Sequence, residues 1–375
     1  MRICFIHTAD WQIGKLFGTI PDEARVLLAR QRIETIKRIA DLANDNDADA
    51  VLVAGDVFET IAVADDTIRR TVNALEAFRG PWVLLPGNHD AALAESPWTR
   101  MRRFGLPENV ILATVPEPIG LANGRLTILP APLQRRHEAV DLTAWFDAGP
   151  SGYGAVRVGL AHGSIAGFLP AEAEAQNPIA HDRAERARLD YLALGDWHGT
   201  LRIGPRTWYA GTPEPDRFKA NDPGNVLVVR IDAPRSAPAV EKVRVGRYDW
   251  RELHVAIHGA DDVAGIGDAV KALGEPLDAR VVSLTLEGAV DLATQLAVTE
   301  TLEELKARVH HLRVDNSLLF AEPSDDDLDR IDTLGFVRSA IDSLRAQAAD
   351  RADPDRETAR LALQMLFMEH HRQDG

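Results

Sequence analysis

The run Ile3-Cys-Phe-Ile-His-Thr-Ala-Asp-Trp-Gln12, "ICFIHTADWQ", starts as an unbroken apolar segment and stops on an acid and an amide flanking a tryptophan. A strand covered on both faces reads as a continuous apolar run, because neither side meets water. Four later segments repeat the design: "ADAVLVAGDVFE", "PWVLLPGNHD", "AVRVGLAHGS" and "LDYLALGDWHG". Between the early ones lies a helical pattern, "DEARVLLARQRIETIKRIADLANDN", with apolar residues at Val26, Ile33, Ile36, Ile39 and Leu42. The alternation predicts an α/β domain whose sheets are covered by helices. Later segments, "TWYAG", "NVLVVRI" and "VEKVRV", are strand-rich, the last two joined by the turn "DAPRSAP".

Each of the five apolar runs ends in side chains able to hold a metal. They deliver His7, Asp10 and Gln12; Asp56 and Glu59; Asn88, His89 and Asp90; His162; and Asp196 and His198. One Gly-Asp pair after a strand is ordinarily only a turn. Five successive turns that carry carboxylates, imidazoles and amides, with almost no lysine, are hard to attribute to turn preference. In open α/β sheets ligands bind beyond the carboxyl ends of the strands, where these residues would pool.

The bulk properties narrow the class. A chain of 375 residues is long for one simple domain, so two are expected. The only cysteine, Cys4, lies in the first apolar run, so no disulfide framework exists and a reducing cytoplasm is expected. No secretory leader is legible, and no apolar stretch approaches the roughly 20 residues of a membrane span. The net charge of −15 is uneven: residues 1–250 carry −3 and residues 251–375 carry −12. This excludes a simple basic DNA-binding domain, but not a phosphate substrate bridged by metal.

Organisation changes near "GRYDW" (Gly246–Trp250). "ELHVAIHG", "RVVSLTLEG" and "SLLFAEP", separated by helical patterns, form a β-α-β-α-β unit. The expected division is residues 1–247, 248–322 and 323–375, the last being C-terminal helices. One tail pattern runs through Ile331, Leu334, Val337, Ile341 and Leu344; the other opens at Asp353-Pro354 and continues through Ala359, Ala362, Met365, Leu366 and Met368.

The ordered motifs "ADWQ", "GDVFE", "GNHD", "HG" and "GDWHG" resemble those of the calcineurin-like metallophosphoesterase superfamily. "HTADWQIGK", "PGNHD" and "DYLALGDWHG" more narrowly resemble its SbcD-type DNA repair exonucleases. The resemblance covers roughly residues 1–250 and implies a metallophosphoesterase-type β-sandwich flanked by helices, followed by a small cap domain. It implies two divalent metal ions. One would be held by Asp10, Gln12, Asp56 and His198, the other by Asp56, Asn88, His162 and Asp196, with Asp56 bridging. His89 would face the scissile phosphate, and Glu59 would orient it.

Such a pair of ions lowers the pKa of a shared water, and the resulting bridging hydroxide attacks phosphorus in line. A histidine held by a carboxylate can stabilise or protonate the leaving oxygen. The implied activity is that of a metal-dependent DNA exonuclease, the nuclease subunit of a DNA repair complex with an SbcC-like coiled-coil ATPase. The C-terminal helices would dock on that ATPase, and helices of the phosphoesterase domain would form a homodimer. The alternatives are a phosphoesterase for a nucleotide or another small phosphodiester, and a catalytically weak scaffold for a partner ATPase.

Two positions depart from the family pattern. Gln12 stands where histidine is usual, and Asp196 where the first histidine of G-H-x-H is expected. As working ligands they make the centre richer in oxygen, favouring Mn²⁺, with Mg²⁺ as the alternative, over Zn²⁺. The other two readings are one weakened metal position and lost catalysis. Trp11 and Trp197 flank ligand positions, either as packing or as stacking surfaces for a base. Arg100, Arg102 and Arg103, with Arg135 and Arg136, are either phosphate contacts or a solvated face.

Overall fold

A computed structural model of the chain describes residues 2–149, 154–165, 177–321, 323, 325–331 and 335–374. The chain divides into two compact units, the first ending at Tyr248 and the second starting at Asp249.

In the first unit β1 (Ile3–Thr8) leads into α1 (Asp22–Asp45), β2 (Ala50–Val53), α2 (Asp65–Leu75), β3 (Trp82–Leu84), α3 (Pro97–Phe104), β4 (Val110–Leu112), β5 (Ile119–Leu121) and β6 (Leu126–Ala131). Then come β7 (Val156–His162), β8 (Ser164–Ile165), β9 (Pro178–Ile179), α4 (Arg183–Arg186), β10 (Tyr191–Gly195), β11 (Leu201–Arg202), β12 (Thr207–Tyr209), β13 (Asn225–Ile231) and β14 (Ala239–Arg244).

Two six-stranded sheets result, ordered β14-β13-β1-β2-β3-β4 and β11-β12-β10-β7-β6-β5. Four strands of each run parallel: β1 to β4 in the first, and β6, β7, β10 and β12 in the second. Alternation along β1 explains why its sequence is apolar throughout. Ile3 and Phe5 pack with Leu126, Val158 and Tyr191 of the opposite sheet, while Cys4 and Ile6 pack with Ile36 and Ile39 of α1. The unit is thus a β-sandwich flanked by helices. Cys4 is a free, buried thiol.

α1 spans nearly the predicted segment, but its inward face is shifted. Leu28, Arg32, Thr35, Ile36 and Ile39 are buried, whereas Val26 is exposed. Arg32 displaces an apolar residue from that face because its guanidinium donates to the carbonyls of Trp11 and Glu214 at 2.7 and 3.1 Å.

In the second unit β15 (Asp249–Ile257), α5 (Val263–Lys271), β16 (Arg280–Val290), α6 (Leu292–Lys306) and β17 (His311–Ala321) build a parallel three-stranded sheet ordered β15-β16-β17. The tail carries α7 (Asp325–Ile331), α8 (Phe336–Ala349) and α9 (Arg356–Asp374). The first tail pattern is therefore two helices: α7 ends at Ile331, and α8 starts after Gly335, whose φ is 134°. Leu334 lies outside the described residues. α9 begins two residues later than Pro354, because the Asp353 carboxylate accepts from the Asp355 N–H at 2.8 Å and closes a turn first. Leu363 and Phe367 of α9 are buried with Leu328 and Ile341, while Met365 is exposed; the Met368 side chain lies outside the described residues. Among the described residues no helix is long and apolar enough to cross a membrane.

Candidate metal centre

β1, β2 and β10 end side by side with the loop after β3 and the end of β7. Backbone bonds zip the first two loops together: Asp10 N–H donates to Gly55 O, and Gln12 N–H to Asp56 O, each at 3.0 Å. Two glycines admit the close approach. A Cβ on Gly55, whose φ is 90°, would lie 2.2 Å from His162 Nδ1, and one on Gly87 would lie 2.1 Å from Asp56 Oδ1. The "GD" and "GN" dipeptides are thus steric requirements of this crevice. Of the seven sequence-derived ligand positions, Asp10, Gln12, Asp56, Asp196 and His198 have positive φ, at 52, 50, 53, 108 and 60°. Such conformations cost non-glycine residues about 1–3 kcal/mol and cluster at functional sites.

Ligand atoms of Asp10, Asp56 and His162 lie within 4.8 Å of one another, and all three residues are buried. His162 Nδ1–H donates to the Ala54 carbonyl at 2.8 Å, which leaves Nε2 facing inward. That nitrogen stands 3.6 Å from Asp56 Oδ1 and 3.8 Å from Asp196 Oδ1. Asn88 completes this side. Its amide nitrogen would donate to His162 Nε2 and Asp56 Oδ2 at 2.9 and 3.1 Å. Its oxygen at the same place adds another lone pair to a cluster that only a cation reconciles. On the other side Gln12 Nε2 donates to Asp56 Oδ2 at 2.8 Å, while Gln12 Oε1 is buried without a hydrogen-bond partner. Asp10 accepts from the Asp196 N–H at 3.0 and 3.2 Å, and its charge interacts with that of His198.

The electrostatics have the same sense. Among the described residues no lysine or arginine stands within 4 Å of the Asp10, Asp56 or Asp196 carboxylates; the His162 imidazole does, and His198 also acts on Asp10. Burial pushes the Asp10 carboxyl up to about 6, with the neighbouring Asp56 and Asp196 carboxylates adding to the shift. Burial would lower His162, yet Asp56, Asp10 and Asp196 outweigh it and raise the imidazole to about 9. A proton and a divalent cation compete for this well. The orphaned Gln12 oxygen and the pooled carboxylates fit a centre of divalent ions with mostly oxygen ligands.

Several candidates make their contacts within the fold. His7 is fully buried, donates from Nε2 to Leu194 O at 3.2 Å and accepts from Tyr191 Oη at 3.0 Å; burial drives its pKa down to about 3. Asp90 is turned away from the cluster and accepts from the Gly87 and Phe58 N–H groups at 2.7 and 3.0 Å. Trp11 is a core residue, its indole N–H on Thr8 Oγ1 at 3.0 Å and its ring edge-on to Trp82. Trp197 is half-buried, with Lys219 Nζ 4.4 Å from its ring centre, so a cation holds one of its faces. Arg100 is spent on Val63 O, Ile61 O and Asp65 Oδ1 at 2.6, 2.6 and 2.9 Å. Arg102 donates to Thr114 Oγ1, and Arg103 is exposed on α3.

His89 and Glu59 do meet, though differently from expectation. His89 Nδ1–H donates to the backbone carbonyl of Glu59 at 2.9 Å, and its N–H donates to Asp56 Oδ1 at 2.9 Å. The Glu59 carboxylate turns instead to Lys15 Nζ at 3.3 Å. Sequence reasoning missed Ser164, whose hydroxyl donates to Asp196 Oδ2 at 3.0 Å. It also missed Asp216, 3.3 Å from His198 Nδ1. Asp216 sits inside the segment "YAGTPEPDRFK", downstream of the last metal motif, where no residue spacing marks it.

Comparison with known proteins agrees with this crevice. The chain is 25% identical over 355 residues to the DNA double-strand break repair protein Mre11 of Haloferax volcanii, covering 90% of this chain and 75% of the relative. It is 29% identical over 262 residues to the D component of the nuclease SbcCD of Rhodobacter capsulatus, covering 57% of this chain and 62% of the relative. It is 34% identical over 94 residues to the same component of the Bacillus subtilis nuclease, covering 24% of this chain and 22% of the relative. The chain thus spans about a fifth of the Bacillus protein and under two thirds of the Rhodobacter one. The calcineurin-like phosphoesterase profile matches residues 4–230, the sandwich and its metal crevice, and the chain belongs to that family.

Proposed function

We propose that this chain is a two-metal phosphodiesterase acting on DNA, the nuclease subunit of a repair complex with a coiled-coil ATPase. The observation that carries the reading is the buried cluster of Asp10, Asp56 and His162, with Asn88, Asp196 and Gln12 bonded to or beside it and Gln12 Oε1 buried and unpartnered. Asp10, Gln12, Asp56 and His198 would hold one ion, and Asp56, Asn88, His162 and Asp196 the other. Mn²⁺ is the preferred metal for so many oxygen ligands. The ions supply charge that neutralises the phosphate oxygens and acidifies water.

The chain's own residues do the rest. Asp56 belongs to both ligand sets and is fixed by donors from His89 and Gln12. His89 is locked by its Nδ1–H on the Glu59 carbonyl, so Nε2 is the atom that exchanges a proton with the leaving oxygen. Left-handed backbone at five ligand positions pre-orients the set before substrate arrives. DNA as substrate and membership of a multi-subunit nuclease are supported by the relatives' names; the coiled-coil ATPase as partner rests on the motif resemblance, and the cytoplasm on the single buried cysteine. Exposed Val26 and Leu27 on α1 are compatible with a homodimer.

The test uses purified chain with Mn²⁺ on labelled linear duplex, single strands and bis-p-nitrophenyl phosphate, beside Asp56→Ala and His89→Ala. Both variants should lose at least about 10³-fold in rate, some 4 kcal/mol of barrier. Full activity in Asp56→Ala sinks the two-metal assignment. Hydrolysis of the small ester with DNA untouched, even beside a cognate ATPase, replaces the nuclease with a small-molecule phosphoesterase.

A further inference from the structure

Asp216 has no place among the seven ligand positions, yet only 2% of its side chain is exposed, and Lys15, His198 and Arg217 surround its carboxylate. Arg217 clamps it bidentately, Nε to Oδ1 at 3.0 Å and Nη2 to Oδ2 at 3.1 Å. Lys15 Nζ stands 3.2 Å from Oδ2, and His198 Nδ1 stands 3.3 Å from the same oxygen. Lys15 also holds the Glu59 carboxylate at 3.3 and 3.4 Å, and the Glu59 carbonyl anchors His89. Two of the three site imidazoles, His89 and His198, therefore hang from one chain of residues, Glu59–Lys15–Asp216–Arg217, His89 through the Glu59 carbonyl and His198 through the Asp216 carboxylate.

His198 Nδ1 has a second neighbour, Arg217 Nη2, at 3.0 Å. An arginine nitrogen only donates and a carboxylate only accepts, so the two make opposite demands on this ring nitrogen. If Nδ1 accepts from Arg217, the ring proton sits on Nε2 and no lone pair remains for a metal. If Nδ1–H donates to Asp216, Nε2 carries the lone pair. Burial decides between them. The Arg217 side chain is 51% exposed, so water can satisfy its N–H groups, whereas the enclosed Asp216 depends on protein donors.

We infer that Asp216 is the positioning residue of His198, fixing the Nδ1–H tautomer so that Nε2 faces a divalent cation. This rests on the two-metal reading for its purpose, but not for its geometry. Carboxylates behind metal-bound histidines typically change metal affinity by 10–100-fold when removed.

The test is a Mn²⁺ titration of the full chain by electron paramagnetic resonance, with ¹⁵N-histidine NMR to read the His198 tautomer in the metal-free protein. In Asp216→Leu one of two Mn²⁺ classes should weaken about 10–100-fold, the other should stay, and His198 should switch to Nε2–H. Asp216→Asn keeps the side-chain shape and guards against misfolding; it should weaken the same class by a smaller factor. Wild-type Mn²⁺ affinity and an unchanged tautomer in both variants overturn the inference. Asp56→Ala separates the two ideas. If it binds Mn²⁺ as wild type does, the two-metal reading fails, while the tautomer shift still reports on Asp216.

Discussion

His7 and His162 occupy equivalent places in two sheets: each is a buried imidazole at the carboxyl end of an apolar strand, β1 and β7. Their environments are opposite. His7 faces a phenol and a carbonyl and is driven to about 3 by burial, whereas His162, equally enclosed, faces three carboxylates and is raised to about 9. Desolvation acts on both, so the neighbours alone separate the histidine bonded into the fold from the candidate ligand. Depth in the fold says nothing about role; the charge within about 4 Å does.

The largest effect expected from this contrast is a double dissociation. His162→Ala should cut Mn²⁺-dependent phosphodiesterase activity by about 10³-fold with little change in melting temperature, since it thins a crowded charged cluster. His7→Ala should keep the rate per folded molecule within a few-fold but cost about 3 kcal/mol in urea unfolding, through a cavity and the stranded Tyr191 hydroxyl and Leu194 carbonyl. Loss of activity in a folded His7→Ala would erase the distinction.

An intermediate effect concerns pH. An unfolded histidine titrates near 6.5 and folded His7 at about 3, so the folded state binds fewer protons between those values. The folded pKa of this base is depressed, so its contribution is complete above about pH 6.5 and is lost as pH falls towards 3. His7→Gln does not titrate there. The stability advantage of wild type over His7→Gln should shrink by about 2 kcal/mol from pH 7 to pH 5. A constant difference would mean that His7 is protonated in place.

The smallest effect sharpens the pairing of His89 with Glu59. Because the anchor is a backbone carbonyl, Glu59→Gln should change kcat/KM on bis-p-nitrophenyl phosphate by less than about threefold. A hundredfold fall would restore the carboxylate as the orienting group.

These contrasts also mark what the amino-acid sequence discloses. Strands buried on both faces leave apolar runs that end in the chemistry, so an α/β domain and the location of the crevice were legible from the residues, while the sandwich was implied only by the resemblance of the motifs. Partners from distant segments were not. His7 and His162 look alike until Tyr191, Asp10 and Asp196 fold against them. Arg100 reads as either a phosphate contact or part of a solvated face until Val63 and Ile61 claim its donors. Backbone acceptors such as Glu59 O carry no letter of their own, and the break before α8 falls at Gly335 inside an unbroken helical period.

The left-handed backbone at the ligand positions has a consequence for drift. Asparagine and glycine enter such conformations at lower cost than most residues. At φ of 50 and 60°, Gln12 and His198 are therefore the costly occupants of their turns. A lineage released from the chemistry would relieve about 1 kcal/mol of backbone strain at each by slipping to glycine or asparagine, against the loss of the side-chain contacts to Asp56 and Asp216. The crevice is thus a standing debit against the stability of the fold, and these two side chains are where relaxed selection would first become visible.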